Sequence, residues 1–595
     1  MAGKSDRRPE PETVLDEALR KCRGAFLTVG VFSLAINLLM LSSPLYMLQV
    51  YDRVLSSGRT ETLVLLTGIL GLALLTMAML DTARSRVALR IGVWLNETLG
   101  PELLRVGLKA RLSGRAAGGQ AFRDLGQVQS FIGGQAMTAF FDLPWTPFFI
   151  AVTWVLHPVL GMIALGAALL LLALSVGNEL VTRRLLRSAN SSQLKGNSLA
   201  EGTISNAEVV RAMGMIGSMV RRWQAQNAET QADTLRASER NSYITGTAKF
   251  LRYFAQSLML GAGAYLVIHG LTTPGSMIAG SILLGRALAP VDMAMSAWKN
   301  FSGARLAYGR LSELVTDFPR EPARMALPAP SGRLQVKDLT VIGPNGPQLA
   351  RVSFEIAPGE VVAVIGPSAA GKSTLCRAIV GLVKPNSGTV SIDGVRIDHW
   401  DPDELGPHIG FLPQEVGLFE GTVRMNIGRM AEAAPEEVVE AATRARVHEM
   451  ISQLPQGYET RLGDRGAGLS GGQKQRIGLA RAVFRSPALI VLDEPNANLD
   501  QAGEAALSAA VLELKEAGAS LLIVGHRPST LAQSDKVLLL RGGVVQAFGP
   551  RQEVLGRMRE ATAASRAQAV PPAPSQAEQP ARRPSAAAQA EFAGD

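Results

Sequence analysis

Cysteine is almost missing: Cys22 and Cys376 are the only two in 595 residues. Two thiols supply neither a disulfide framework nor a metal-ligand cluster, and each reads as a small buried or boundary residue. Aromatic residues make up only 5% of the chain and charged residues 19%, yet 47% is hydrophobic. Those apolar residues crowd into long runs in the first half. The second half has the mixed composition of a soluble α/β domain. At roughly 100–200 residues per domain, a chain of this length holds several. A formal charge of +9 would by itself admit a nucleic-acid partner, so the position of the Lys and Arg residues decides its meaning.

Residues 1–20 carry Arg7, Arg8 and several Pro and Glu, and read as a flexible tail with little to bury. The run over 24–48 is too long for the apolar core of a signal peptide and lacks a small-residue cleavage site. It is long enough to span a membrane, which takes about 20 mostly apolar residues. A second span follows at 63–80. The block over 137–176 is too long for one span, and His157-Pro158 divides it, because proline disfavours helix at the residue before it. That split places Asp142 and Glu179 at the inner ends of spans three and four. Two more spans, at 255–268 and 277–293, flank Gly270-Leu271-Thr272-Thr273-Pro274-Gly275, giving six.

Charge supports the count. Between spans two and three lie Arg84, Arg86, Arg90, Arg105, Lys109, Arg111, Arg115 and Arg123. Between spans four and five lie Arg183, Arg184, Arg187, Lys195, Arg221, Arg222, Arg236 and Arg240. The turns on the other side hold Arg53 and Arg59, balanced by Asp52 and Glu61. This is the positive-inside asymmetry, so the basic excess needs no nucleic acid to explain it. Helical patterning in both inner segments, including 199–215, predicts that spans two to five continue as helices beyond the bilayer. Among polar residues within the spans, Asn37, Gln256, Arg286 and Asp292 are candidates for a pathway or a buried pair. For Arg286 and Asp292 the alternative is a place near the inner end of span six, where Arg reaches back to water.

Residues 317–332, with Pro319, Pro322, Pro328 and Pro330, read as a linker to a second domain. There the run 360–365 leads into Gly366-Pro367-Ser368-Ala369-Ala370-Gly371-Lys372-Ser373-Thr374 and then a helical run over 375–382. Strand, glycine loop and helix is the context a phosphate-binding P-loop requires. Its N–H groups and the helix N-terminus can cradle phosphate oxygens, Lys372 can reach the β and γ phosphates, and the Ser373 hydroxyl can bind Mg²⁺. Downstream, the apolar run 488–492 ends in Asp493-Glu494-Pro495, which offers Asp493 for Mg²⁺ and Glu494 as general base or water-orienting group. Leu469-Ser470-Gly471-Gly472-Gln473 precedes a helical run over 474–484. It is either a small-residue helix cap or a second phosphate grip.

With these motifs in this order, the chain resembles the ATP-binding cassette family, whose signature is LSGGQ. The resemblance implies a multidomain fold: a six-helix transmembrane domain of the type I exporter kind over 21–316, the linker, and an α/β P-loop nucleotide-binding domain over 333–556. After Gly556 the chain loses its apolar periodicity and turns Ala, Pro, Gln and Ser-rich, so 557–595 reads as a disordered tail. Residue by residue, it assigns Gln414 to the Q-loop that contacts Mg²⁺, Asn498-Leu499-Asp500 to the D-loop at a dimer seam, and His526 to the switch histidine that contacts the γ-phosphate. It makes Ser470, Gly471, Gly472 and Gln473 of one copy close over the P-loop of another, so the implied assembly is a homodimer with two composite ATP sites. Leu418 to Thr422 and Asp464-Arg465-Gly466 would transmit closure to the membrane domain. One departure is Gly343, which stands where the family usually has an aromatic residue stacked on adenine.

Phe141-Asp142-Leu143-Pro144-Trp145-Thr146-Pro147-Phe148 is similar to the membrane domain of type I secretion ATPases that export proteases, lipases and calcium-binding repeat proteins. An interfacial Trp after a proline helix start would also fit any exporter. The favoured implication is ATP-driven export of an unfolded polypeptide with an uncleaved C-terminal signal across a bacterial inner membrane. The implied partners are a periplasmic membrane-fusion adaptor and an outer-membrane channel. No peptidase-sized segment precedes the first span, which argues against leader cleavage by this chain. The rival expectations are an exporter of lipid or small amphipathic compounds, and a soluble cassette ATPase acting on DNA or ribosomes, which six spans disfavour.

Overall fold

The computed structural model describes residues 13–115, 118–320, 324, 327–344, 346–463, 466–525 and 527–568. The chain divides into two compact units, Met1–Arg320 and Glu321–Asp595. His526, Asp464 and Arg465 lie outside the described residues, as do the side chains of Glu179, Arg183, Arg184 and Arg187.

Among the described residues the first unit consists of helices and the turns between them, and six helices are long and apolar enough to cross a membrane. Among the described residues four far exceed a bilayer crossing: Thr60–Leu112, Pro158–Ser205, Ile216–Ile268 and Pro274–Asp317. At 1.5 Å per residue the 53-residue helices extend about 80 Å. The third span starts at Gln135–Asp142, tightens into a 3-10 turn at Leu143–Trp145 and resumes as Thr146–Leu156, with Pro144 and Pro147 in the first turns of the last two. Proline is tolerated there because those N–H groups have no intrahelical partner. At His157 the backbone is extended, and Pro158 starts the next helix. The helical stretch expected over 199–215 is interrupted: one helix ends at Ser205, a short one covers Ala207–Ala212, and the chain turns at Gly214 with φ of 64°.

The expectation of a flexible tail over 1–20 fails from Thr13 onward. Val14–Lys21 is a helix with a Thr13/Asp16 capping box. Leu15 and Ala18, one helical turn apart, are buried against Ile91, Leu95, Leu99, Leu125 and Leu311. The polar composition hid an apolar stripe of two residues, enough when a groove is waiting for it.

The second unit has a six-stranded sheet in the order Val544–Pro550, Lys536–Arg541, Val361–Ile365, Ser520–Val524, Leu489–Asp493, Ile409–Leu412. All its pairings are parallel except the terminal hairpin. Successive residues feed opposite faces: Leu521 and Ile523 join one core, Leu522 and Val524 the other. Burial on both faces is why the central strands Val361–Ile365, Leu489–Asp493 and Ser520–Val524 appear in sequence as nearly unbroken apolar runs. A second, antiparallel sheet runs Gly346–Ile356, Leu334–Gly343, Ser387–Ile392, Val395–Arg396. The expected disorder from 557 is also corrected. Helix Arg551–Gln568 continues past Gly556, anchored by Val554 among Ala363, Ile365 and Val537, with Met558 one turn on against the same cluster.

Candidate ATP-binding and hydrolysis site

Strand Val361–Ile365 delivers the chain to the loop, and helix Lys372–Ile379 carries it away. The loop turns tightly because Gly366 and Gly371 allow it. A Cβ on Gly366 would collide with the Leu540 carbonyl, while one on Gly371, at φ of 96°, would lie 2.5 Å from the Gln348 carbonyl oxygen. Ala369 occupies the left-handed region too, at φ of 60°, without glycine's freedom. Lys372 is buried, and its Nζ donates to the carbonyls of Gly366 and Pro367, both at 3.0 Å. Thr374 Oγ1 donates to Gln348 Oε1 at 2.9 Å. Gly343 ends its strand facing that same Gln348 side chain, whose amide a Cβ on Gly343 would strike.

Strand Leu489–Asp493 runs beside Ser520–Val524 and places Asp493 next to the loop, where Ser373 hydrogen-bonds it. Asp493 is 3% exposed. Burial pushes its carboxyl above the ordinary 3.8; the Ser373 bond pulls it back, and the neighbouring Glu494 charge adds to the rise. Its Oδ1 is buried without a hydrogen-bond partner. A buried carboxylate oxygen with nothing to accept from is costly unless a cation meets it. Beside the Ser373 hydroxyl, this is an oxygen donor set suited to Mg²⁺.

Glu494 has φ of 51°, which a non-glycine residue adopts only when its surroundings hold it there. Its backbone and one carboxylate oxygen are held. Its N–H donates to the Val524 carbonyl at 3.1 Å, its carbonyl accepts from Gln475 Nε2 at 3.0 Å, and its Oε2 accepts from Gln414 Nε2 at 3.0 Å. Gln475 was missed in the sequence. It is 1% exposed, and its Oε1 accepts from Asn498 Nδ2 at 3.1 Å, so one glutamine links the Glu494 backbone to the D-loop. The available signal was a polar residue on the buried face of a helix, in phase with Leu479, Ala482 and Val483.

Ser470 caps helix Gly471–Val483 through a reciprocal box with Gln473: Gln473 N–H donates to Ser470 Oγ at 3.2 Å, and Ser470 N–H to Gln473 Oε1 at 2.9 Å. Gly472 packs so closely on the D-loop that a Cβ would sit 2.8 Å from the Asn498 carbonyl oxygen. Asp500 caps the next helix by accepting from Gly503 N–H at 2.8 Å; this bond, with the Arg476 guanidinium, holds its carboxyl below the usual range. The structure therefore gathers Lys372, Ser373, Gln414, Asp493 and Glu494 on one side. It joins Ser470 to Gln473 with Asn498 and Asp500 on another. Among the described residues no hydrogen bond links the signature loop to the P-loop.

A P-loop with an acidic strand end, a capped LSGGQ helix and a preceding six-span helical unit define an ATP-binding cassette exporter. Residues 349–497 match the ABC transporter family model, and residues 26–288 the ABC transporter transmembrane region. The chain is 43% identical over 563 residues to the type I secretion system ATP-binding protein PrsD of Rhizobium meliloti (strain 1021), covering 94% of this chain and 96% of that one. It is 29% identical over 548 residues to the toxin RTX-I translocation ATP-binding protein of Actinobacillus pleuropneumoniae, covering 90% and 77%. A bacterial Atm1-family ABC exporter solved with ATP bound superposes with a TM-score of 0.79 at 22% identity, over 93% of this chain and 99% of that one. The chain belongs to the type I secretion branch of the ABC transporter family, and is a multi-pass membrane protein that couples ATP hydrolysis to transport.

Proposed function

We propose that two copies of this chain form the ATPase and permease of a type I secretion system, exporting an unfolded polypeptide with an uncleaved C-terminal signal. The observation that carries this is the near end-to-end correspondence with a type I secretion ATP-binding protein. The setting is a bacterial inner membrane with the nucleotide unit in the cytoplasm, and the partners are a periplasmic adaptor and an outer-membrane channel.

In this reading the loop N–H groups from Gly366 to Thr374 receive the phosphates, and Lys372 exchanges its two carbonyl partners for phosphate oxygens. Ser373, Asp493 and Gln414 would hold Mg²⁺, which supplies positive charge to the β and γ phosphates. Glu494, kept in place by the backbone hydrogen bonds it makes with Val524, Ala497 and Gln475, orients the attacking water and accepts its proton. Gln414, bonded to Glu494 at 3.0 Å, must release it before that can happen, which ties the Q-loop to the timing of hydrolysis. The helix capped by Ser470 presents the N–H groups of Gly471 and Gly472 to the γ-phosphate held by the other copy. His526 completes that site, and Asp500 and Asn498 stand at the seam. The test compares the proteins released by cells carrying wild type or Glu494→Gln. Loss of one or a few secreted polypeptides is expected; an unchanged set, with ATPase stimulation by lipid, refutes the reading.

A further inference from the structure

Away from the nucleotide, the membrane unit contains a cavity of about 390 Å³ whose lining includes Gln135, Lys249, Arg252, Asp292, Ser296 and Asn300. At its centre Arg252 Nη1 donates to Asp292 Oδ2 at 2.5 Å, and the guanidinium lies 4.9 Å from the centroid of the Tyr253 ring. The two side chains are 29% and 21% exposed, so water reaches neither freely. Measured along their helices at 1.5 Å per residue, Arg252 is about 25 Å from the turn at His269, Asp292 about 27 Å from Pro274, and Gln135 about 33 Å from the turn at His157. Three helices thus bring polar groups to one depth, at the edge of a hydrocarbon layer about 30 Å thick.

Charges at such a depth mark a path or a pair, and here there is an imbalance as well as a pair. Two cations, Lys249 and Arg252, face one carboxylate. The volume lies within the range of about 300–1,000 Å³ usual for ligand sites. Its walls alternate apolar side chains, among them Ala248, Met293 and Met295, with the Gln135 and Asn300 amides, the Thr245 and Ser296 hydroxyls and the three charged groups, a mixture that suits a polypeptide better than a lipid tail alone.

We infer that Lys249, Arg252 and Asp292 form a carboxylate-binding site for an acidic, extended polypeptide segment at the mouth of the export path. An incoming carboxylate takes the Arg252 fork from Asp292 and gains Lys249 besides. Gln135, Ser296 and Asn300 offer donors and acceptors to peptide groups, whatever the sequence. The inference rests on the polypeptide-export reading above.

The test uses the full-length protein in nanodiscs, with a fluorescent Glu-Gly repeat peptide and its Gln-Gly counterpart as probes, followed by anisotropy and by peptide-stimulated ATP hydrolysis. The acidic peptide should bind at least about 10-fold more tightly than the neutral one, with the difference fading as salt rises. Arg252→Gln and Lys249→Gln should each weaken it, while Asp292→Asn, which frees Arg252, should tighten it. Lys249→Gln and Arg252→Gln combined with Asp292→Asn strand no charge, and this triple variant should bind the two peptides alike. Equal binding of both peptides by wild type, or full affinity in Arg252→Gln, overturns the site. If both peptides bind equally and both stimulate hydrolysis, the site falls while polypeptide export stands. If neither stimulates and a lipid vesicle component does, both fall.

Discussion

Two residues of the phosphate loop, two positions apart, should respond in opposite directions to a single methyl group. Gly371 has φ of 96°, and a Cβ there would lie 2.5 Å from the Gln348 carbonyl oxygen and 2.9 Å from a Leu349 methyl carbon. The first contact is backbone, which cannot rotate away, so Gly371→Ala must displace the loop or strand Gly346–Ile356. The left-handed conformation alone costs a residue with a Cβ about 1–2 kcal/mol. The clash adds to this, and about 2–4 kcal/mol in all would lower the melting temperature of a domain this size by about 5–15 °C. Ala369 already bears the conformational penalty at φ of 60°. Ala369→Gly removes it, less about 0.4–1 kcal/mol for the freer unfolded chain, leaving a net gain of about 0.5 kcal/mol and a rise of about 1–2 °C. Thermal unfolding of the purified full-length protein gives both shifts, and titration with a fluorescent ATP analogue shows whether the cradle survives. Gly371→Ala should lose at least about 10-fold in nucleotide affinity, whereas Ala369→Gly should stay within about 2-fold of wild type. Wild-type affinity in Gly371→Ala, or a clear loss of stability in Ala369→Gly, would show that backbone handedness does not govern this loop.

Glu494→Gln should keep nucleotide binding and lower the hydrolysis rate by about 10²–10⁴-fold in a phosphate-release assay, the range for removing a positioned general base. Asp493 has a raised pKa in the folded chain, so its ionisation opposes folding: stability is lost as pH rises from 3.8 through the raised value and is constant above it. Asp493→Asn should therefore melt higher than wild type without nucleotide at pH 7, with the gap closing in acid, and should lose the gain in melting temperature given by Mg²⁺ with ATP. In the membrane unit, Arg84 Nη1 donates to Asp142 at 2.8 Å and 3.0 Å and to Ser33 Oγ at 2.9 Å, while Asn37 Nδ2 donates to Asp142 at 3.0 Å. Both ionic side chains are less than a tenth exposed. Asp142→Ala should cost about 3–5 kcal/mol, read as lost thermostability after detergent extraction, and pairing it with Arg84→Met should recover most of that loss.

That buried cluster shows what a linear reading can and cannot find. Arg84 was grouped with the basic residues flanking the second span, Asn37 with the pathway candidates, and Asp142 with a family-like motif. Their common partner was invisible because Arg84 and Asp142 are 58 residues apart and Asn37 and Asp142 are 105 apart. Asp292 met the same limit. Arg286 was the other charge weighed for its span, whereas its partner proves to be Arg252 on another helix. What could be read locally was read well. The six spans follow from run length, the strands Val361–Ile365 and Leu489–Asp493 from unbroken apolar runs, and the loop from a motif whose chemistry fixes its context. The ends of the chain were misjudged for a related reason. Leu15 with Ala18, and Val554 with Met558, are pairs too small to stand out until the surface that covers them is known.

The 53-residue helices are also levers. A tilt of about 5° about one end of a rod about 80 Å long sweeps the other end through about 7 Å. Rearrangements no larger than one hydrogen bond at the tip of such a rod can thus open or shut a passage at its far end, and stiffness along its length becomes as selectable a trait as any residue that touches cargo.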